Sequence, residues 1–243
     1  MKYIIQTIEG EIKHDFSFTL LRSFEFHEWL GYPKEYVLSD TVLEEKGCVP
    51  VGSVEFVLEY LKINYDLEPK PVNIPLSLYK EKFLKRKVLI GFDTFLQSEG
   101  VDEVLTDGEV FVKSLNKIKV DGYPKIVTKE ETLDRDLYLY SELIEIESEY
   151  RCFVFNGELL GINNYSGDFT TFPNVDTIKE MIEAYDDQPI AFILDVGVLE
   201  SGETVVIEAH DFFSCGLYGF ADMKRLPIMY SRWIVEFLIK NKK

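Results

Sequence analysis

Apolar positions along the chain fall into two rhythms, and these predict its elements. The run KYIIQTI, residues 2–8, reads as a strand. In residues 50–64, PVGSVEFVLEYLKIN, Val54, Val57, Leu58 and Leu61 share one helical face, and Pro50 with the Gly-Ser pair after it marks the start. Residues 65–76, YDLEPKPVNIPL, hold three prolines and read as a boundary or linker. The ~65 residues before it are too few for a roomy core of their own and are expected to pack on the remainder of the chain. Residues 109–114 (EVFVKS) form a strand, and so do 136–147 (DLYLYSELIEIE), broken near Ser141. Asn156-Gly157, the strongest short hairpin signal, separates runs 150–155 and 158–165. Ser201-Gly202 separates 190–200 from 203–210 in the same way. Helices are predicted at 174–187, with Ile178, Met181 and Ile182 in a stripe, and at 223–241, with Trp233, Phe237 and Leu238 on one side. Strands interleaved with helices and antiparallel hairpins predict an α+β chain, divided as residues 1–75 and 76–243.

The second hairpin interrupts its apolar strands with acids. With a two-residue turn at Ser201-Gly202, Leu199 faces Thr204, Gly197 faces Val206 and Asp195 faces Glu208, and alternation puts His210 on the face of Glu208. Directly opposed carboxylates sit ~5 Å apart at Cβ and repel, at a cost to the unliganded protein. A divalent cation is one reason for such a pair, because carboxylates at this spacing share a hard metal such as magnesium. A solvent-exposed sheet face with harmless acids is the other reading. His210 is either a further ligand or an acid–base group.

Charge narrows the partners. The 243 residues carry a net charge of −17, which repels phosphate backbones and argues against non-specific nucleic-acid binding. A nucleotide site would need locally gathered cations and a metal. Lys113 shares a face with Phe111, and the following loop SLNKIKVDG carries Lys117 and Lys119 before Gly122. Arg151 shares a face with Phe153 and Phe155, and is either a bidentate phosphate ligand or a salt-bridge partner of Glu149. Each of these cations could also be ordinary solvated surface. Neither a Walker A pattern nor GxGxxG occurs. The 18 Phe and 14 Tyr suit a β-rich interior. No apolar run reaches membrane-spanning length, and the opening run is too short for a signal peptide. Cys48, Cys152 and Cys215 form neither a metal pattern nor a disulfide framework, so a reducing cytoplasm is the natural setting. Cys215 reads as a small packed residue rather than a nucleophile. SGDFTTF, residues 166–172, is either a substrate-facing loop or plain surface.

The order FVK, lysine loop with glycine, SELIEIE, SEYRCFVFNGELLG, LDVGVLESGETVVIEAHD and SCGLYGF resembles the ATP-grasp superfamily, above all its small phage- and bacteria-associated members known by domain alone. The resemblance covers residues 76–243, and VPVGSVEF, 49–56, is similar to the region that precedes the domain in that group. It implies an ATP-grasp fold in which two small α+β lobes clasp ATP, preceded by a short N-terminal α/β pre-ATP-grasp region. Lys113 and Lys119 would contact phosphates, and the strand around Glu142, Leu143 and Ile144 would give backbone contacts to adenine. Glu149 would reach the ribose, Arg151 the γ-phosphate or an acyl phosphate, and Asp195 with Glu208 would bind magnesium. The family usually carries Asn two residues after that Glu, where this chain has His210. Imidazole is a poor magnesium ligand, so the departure bears on the second metal site or on turnover.

Three functions are compatible with these features. The first is a carboxylate–amine ligase working through an acyl phosphate, with Arg151 and Lys119 nearest the chemistry. The second is an ATP-binding module with little or no turnover, favoured by His210. The third is an interaction protein whose acidic surface meets a basic partner, which leaves the paired acids unexplained.

Overall fold

The computed structural model describes residues 1–116, 118 and 124–241. The chain opens with strand β1 (Tyr3–Gln6), helix α1 (Asp15–Trp29), strands β2 (Tyr36–Ser39) and β3 (Val49–Val51), and helix α2 (Val54–Tyr65). The three strands form a parallel sheet in the order β2-β1-β3. Both faces of β1 are covered, so Tyr3, Ile4 and Ile5 are all buried, as a parallel sheet requires. Pro50 does not start a helix. It lies in β3 opposite Ile4, on an edge strand where a missing N–H is tolerated. The helix begins after Ser53, whose Oγ accepts the Phe56 N–H at 3.2 Å. Helix α1 went unread in the pattern of the sequence. Phe16, Leu20 and Phe24 form its buried stripe, but Phe18 and Phe26 lie off the stripe and blur the period.

After α2 the proline-rich stretch runs back across the molecule, and Asn73 makes an isolated β-bridge to Ala209. A short helix α3 (Glu81–Leu84) leads into β4 (Val88–Phe92), β5 (Glu109–Ser114), β6 (Lys125–Thr128) and β7 (Leu137–Ser141). These build an antiparallel sheet ordered β4-β7-β5-β6. Along β5, Val110 and Val112 enter a small core with Tyr138 and Tyr140, which leaves Phe111 and Lys113 on the other face. Residues 142–145 form no regular element and join this sheet to a second one. The second sheet comprises β8 (Ile146–Phe155), β9 (Glu158–Gly167), β10 (Ala191–Leu199) and β11 (Thr204–Asp211), ordered β11-β10-β8-β9. Helix α4 (Val175–Ala184) lies within its chain order and helix α5 (Leu226–Lys240) closes the chain.

The second sheet is buried on both faces. Tyr150, Cys152 and Leu194 pack with Ile178 and Met181 of α4. Phe153, Ile193 and Phe212 pack with Trp233 of α5 and with Ile4, Val57 and Leu61, so the N-terminal segment shares a core with the C-terminal sheet. The predicted α+β class holds, and no helix among the described residues is long and apolar enough to cross a membrane.

The two hairpins differ. Phe155 pairs with Glu158, and Asn156 and Gly157 both have positive φ (52° and 74°), a two-residue type I′ turn as predicted. At the other hairpin Leu199 donates to the Glu203 carbonyl at 2.9 Å, so Glu200, Ser201 and Gly202 make a three-residue loop. This moves Gly197 opposite Val205 instead of Val206. A bulge then leaves Ile207 unpaired, and beyond it Asp195 again faces Glu208.

Candidate functional site

Four polar side chains share one face of the second sheet. The central strand β10 sets Asp195 between Arg151 of β8 and Glu208 of β11, while His210 lies across from Ile193. The facing acids do not stand as a bare repelling pair, contrary to the expectation from the hairpin alone. Arg151 grips Asp195 in bidentate fashion, Nε to Oδ1 at 2.9 Å and Nη2 to Oδ2 at 2.7 Å. Lys113 reaches across from the first sheet to pair with Glu208. Counting along one hairpin could not reveal either cation, because one comes from a third strand and the other from the opposite lobe. Arg151 makes no salt bridge with Glu149, which accepts the Tyr165 hydroxyl at 2.7 Å instead. The guanidinium also donates to the Gly216 carbonyl at 3.2 Å and lies over the rings of Tyr165 and Tyr218. Burial opposes ionisation of Asp195, but hydrogen bonds from Arg151 and His210 outweigh it and hold the carboxyl below its ordinary value. Burial likewise opposes the charge on Arg151, and the Asp195 carboxylate more than compensates.

Two clefts meet at this cluster. The first, about 440 Å³, lies between the lobes. Phe111, Leu139, Ile144 and Ile207 give it apolar walls, and Lys113, Glu142, Leu143, Glu149 and Glu208 also line it. Glu142, Leu143 and Ile144 lie in the connector between the sheets, not in a strand. Glu142 N–H donates to Lys87 O and Leu143 N–H to Thr106 Oγ1. Among the described residues this leaves the Leu143 carbonyl and the Ile144 N–H without partners at the cleft edge. The second cleft, about 350 Å³, is lined by Arg151, His210, Cys215 and Tyr218, and by Glu208 and Asn73, which belong to both clefts. Asp195 is only 1% exposed and lies beneath this second cleft, held by Arg151. Lys119, Lys117 and Gly122 fall outside the described residues.

A family model for an ATP-grasp domain, R2K clade family 2, matches residues 83–226, more than half of the chain. The chain belongs to the ATP-grasp family. Among solved structures this ATP-grasp chain is similar to D-cycloserine synthetase DcsG, with a TM-score of 0.59 at 11% identity over 98% of this chain and 100% of that one. The D-alanine–D-alanine ligase from Bacillus anthracis, complexed with ATP, gives 0.53 at 12% identity over 99% of each chain. A RimK domain ATP-grasp protein from Sphaerobacter thermophilus gives 0.52 at 14% identity over 98% of this chain and 100% of that one. At such identities the likeness speaks for the fold alone. No curated protein matches the sequence.

Residues of these clefts could hold a nucleotide and a metal. The apolar walls suit a flat base, and Lys113 brings positive charge to the same space. Asp195, Glu208 and His210 each offer one donor atom, all within 4.8 Å of one another. Two donors bound opposite each other on an octahedral ion stand ~4.2 Å apart, and here the two acids are paired with Arg151 and Lys113.

Sequence reasoning missed Arg86. It lies two residues before β4 and lines the first cleft, donating from Nε to Ser141 Oγ at 3.0 Å and from Nη1 to Leu84 O and Val206 O, both at 3.0 Å. Burial pushes its pKa down to about 10, so it remains a cation at neutral pH. Its only signal was the basic run Lys85-Arg86-Lys87 ahead of an apolar strand, a common way for a strand to begin. The loop 166–172 lines neither of these clefts. Its Phe169 carbonyl accepts the Tyr150 hydroxyl and Phe172 packs on the Tyr150 ring, on the face of the sheet opposite Arg151.

Proposed function

We propose that the chain is an ATP- and magnesium-dependent ligase that joins a carboxylate to an amine through an acyl phosphate. The observation that carries this reading is the position of Glu208. It belongs to both clefts, carries Lys113 from the opposite lobe, and adjoins Asp195, Arg151 and His210. ATP supplies the phosphoryl group that activates the carboxylate. The Leu143 carbonyl and Ile144 N–H hold the edge of the base beside Glu142, and Glu149 meets the ribose. Lys113 and Lys119 meet the phosphates. Arg151, lining the second cleft, steadies the acyl phosphate, while Asp195, Glu208 and His210 hold the divalent ion. The second cleft takes the carboxylate and the amine. Such chemistry needs positioning and charge neutralisation more than a covalent nucleophile. In keeping with this, burial pushes the Cys215 thiol up to about 12. The D-alanine–D-alanine ligase and D-cycloserine synthetase among the fold neighbours support the ligase class. The three free, buried cysteines support a reducing, cytoplasmic setting.

A nucleotide-binding module with little turnover is the second reading, favoured by His210. Calorimetric titration of ATP with and without magnesium tests the shared part of both readings, and metal-dependent binding is expected. ADP release separates them. Absence of metal-dependent ATP binding would sink both.

A further inference from the structure

We infer that Tyr165 is a positioning residue for the nucleotide: it holds one oxygen of Glu149 so that the other is aimed at the ribose hydroxyls, an inference that rests on the reading of Glu149 as the ribose contact. Strands β8 and β9 bring Tyr165 to this place by an irregularity. Ser148 faces Gly167 and Glu149 faces Ser166, and the same register continued would set Tyr165 opposite Tyr150. Its ring would then join Tyr150 on the face that packs against α4. A bulge intervenes. Asn164 stands opposite Tyr150 and Asn163 opposite Arg151, so Tyr165 is the extra residue beside Glu149. The bulge thereby turns the ring to the face of Glu149 and Arg151. The Asn164 amide stitches it in place, with Nδ2 at 2.8 Å from Ser166 O, 2.9 Å from Ser148 Oγ and 3.2 Å from Glu149 O.

On that face Tyr165 touches one residue of each cleft. Its hydroxyl donates to Glu149 Oε2 at 2.7 Å, and the Arg151 guanidinium lies over its ring at 5.5 Å. The Tyr218 ring stacks beside it at 5.3 Å. Tyr165 itself lines neither cleft, so it acts on a nucleotide through Glu149, which lines the first. A carboxylate only accepts, so the phenol is the donor. Among the described residues nothing donates to Glu149 Oε1, the oxygen left for a ligand. A glutamate side chain otherwise samples several rotamers. A hydrogen bond at one oxygen fixes the plane of the carboxylate, and with it the direction in which the second oxygen accepts. Ordering one such side chain before binding is worth ~2–10-fold in affinity. A ribose hydroxyl is a donor that Oε1 accepts, and a nucleotide without hydroxyls gains nothing from the arrangement.

The test is calorimetric titration of the full chain, in magnesium, with ATP and with 2′,3′-dideoxy-ATP, which lacks both ribose hydroxyls. Wild type should bind ATP about tenfold more tightly or better, the lower end for a hydrogen bond to a charged group. Tyr165→Phe keeps the ring over Arg151 and against Tyr218 and removes the hydroxyl alone. In it the affinity for ATP should fall by ~2–10-fold while that for the dideoxy nucleotide stays unchanged. Glu149→Ala should lose the preference, and adding Tyr165→Phe to it should then change neither affinity, because the hydroxyl acts through Glu149. A merely structural hydroxyl would weaken both nucleotides alike. Equal weakening of both in Tyr165→Phe, or an unchanged affinity for ATP, would overturn the inference and leave Glu149 as the ribose contact. A wild type that binds the two nucleotides equally would overturn the role of Glu149, and this inference with it, while ATP binding stands. A wild type that binds neither would overturn the ATP reading itself.

Discussion

Replacing Asp195 by Asn removes the charge that Arg151 faces while nearly preserving volume. The side chains of Arg151 and Asp195 are 10% and 2% exposed, so this is a buried ion pair. Breaking such a pair by removing one partner costs ~3–5 kcal/mol, chiefly because the remaining charge is left uncompensated. Several contacts soften the loss here. An amide oxygen still accepts one of the two hydrogen bonds, Arg151 keeps the Gly216 carbonyl at 3.2 Å, and its guanidinium stays over Tyr165 and Tyr218 at 5.5 and 5.1 Å. The expected cost is therefore ~2–3 kcal/mol, below the full figure for a broken buried pair. For a chain of this length that lowers Tm by ~4–12 °C. The sign is opposite to the one implied by two facing acids alone, where removing a charge would relieve repulsion. Thermal unfolding without ligand at neutral pH measures it. The pH dependence comes from the lowered Asp195 pKa: its contribution is complete above the unfolded value of ~3.9 and is lost as pH falls through the folded value, so wild type and variant should converge in acid. A variant as stable as wild type at pH 7, or more so, would refute the claim that Arg151 neutralises Asp195.

Lys113→Ala should weaken ATP binding by ~1–3 kcal/mol, the range for a charge-assisted contact, and a titration indistinguishable from wild type would remove Lys113 from the nucleotide site. Its effect on the unliganded protein should stay below ~1 kcal/mol, because Lys113 and Glu208 are 25% and 29% exposed and solvent screens their pair. Cys215, buried and with its pKa raised to about 12, should resist iodoacetamide at pH 8 in the native protein and react only on unfolding; rapid native labelling would contradict its burial.

Elements were legible in the sequence to the degree that their signals are local. Strand β5 spans the predicted residues because alternation in EVFVKS is complete within six positions. The Asn156-Gly157 turn is equally local, since both residues supply the positive φ that the type I′ turn demands. Helix α1 is local too, yet its off-stripe phenylalanines hid the period. The site is different in kind. Arg151, Lys113, Asp195 and Glu208 were each readable as residue types, but their pairing depends on strands brought together by the topology β11-β10-β8-β9 and on a lobe that closes from the other sheet. The facing of Asp195 and Glu208 shows how narrow the local argument was. A three-residue loop shifts the register by one, and the bulge at Ile207 shifts it back, so the pair reached by assuming a two-residue turn occurs for a reason that counting did not contain. That bulge also has a use. It leaves Ile207 and Glu208 lining the same cleft, where ordinary alternation would send neighbours to opposite faces, so consecutive residues supply an apolar wall and an acidic ligand at the point where the two clefts meet.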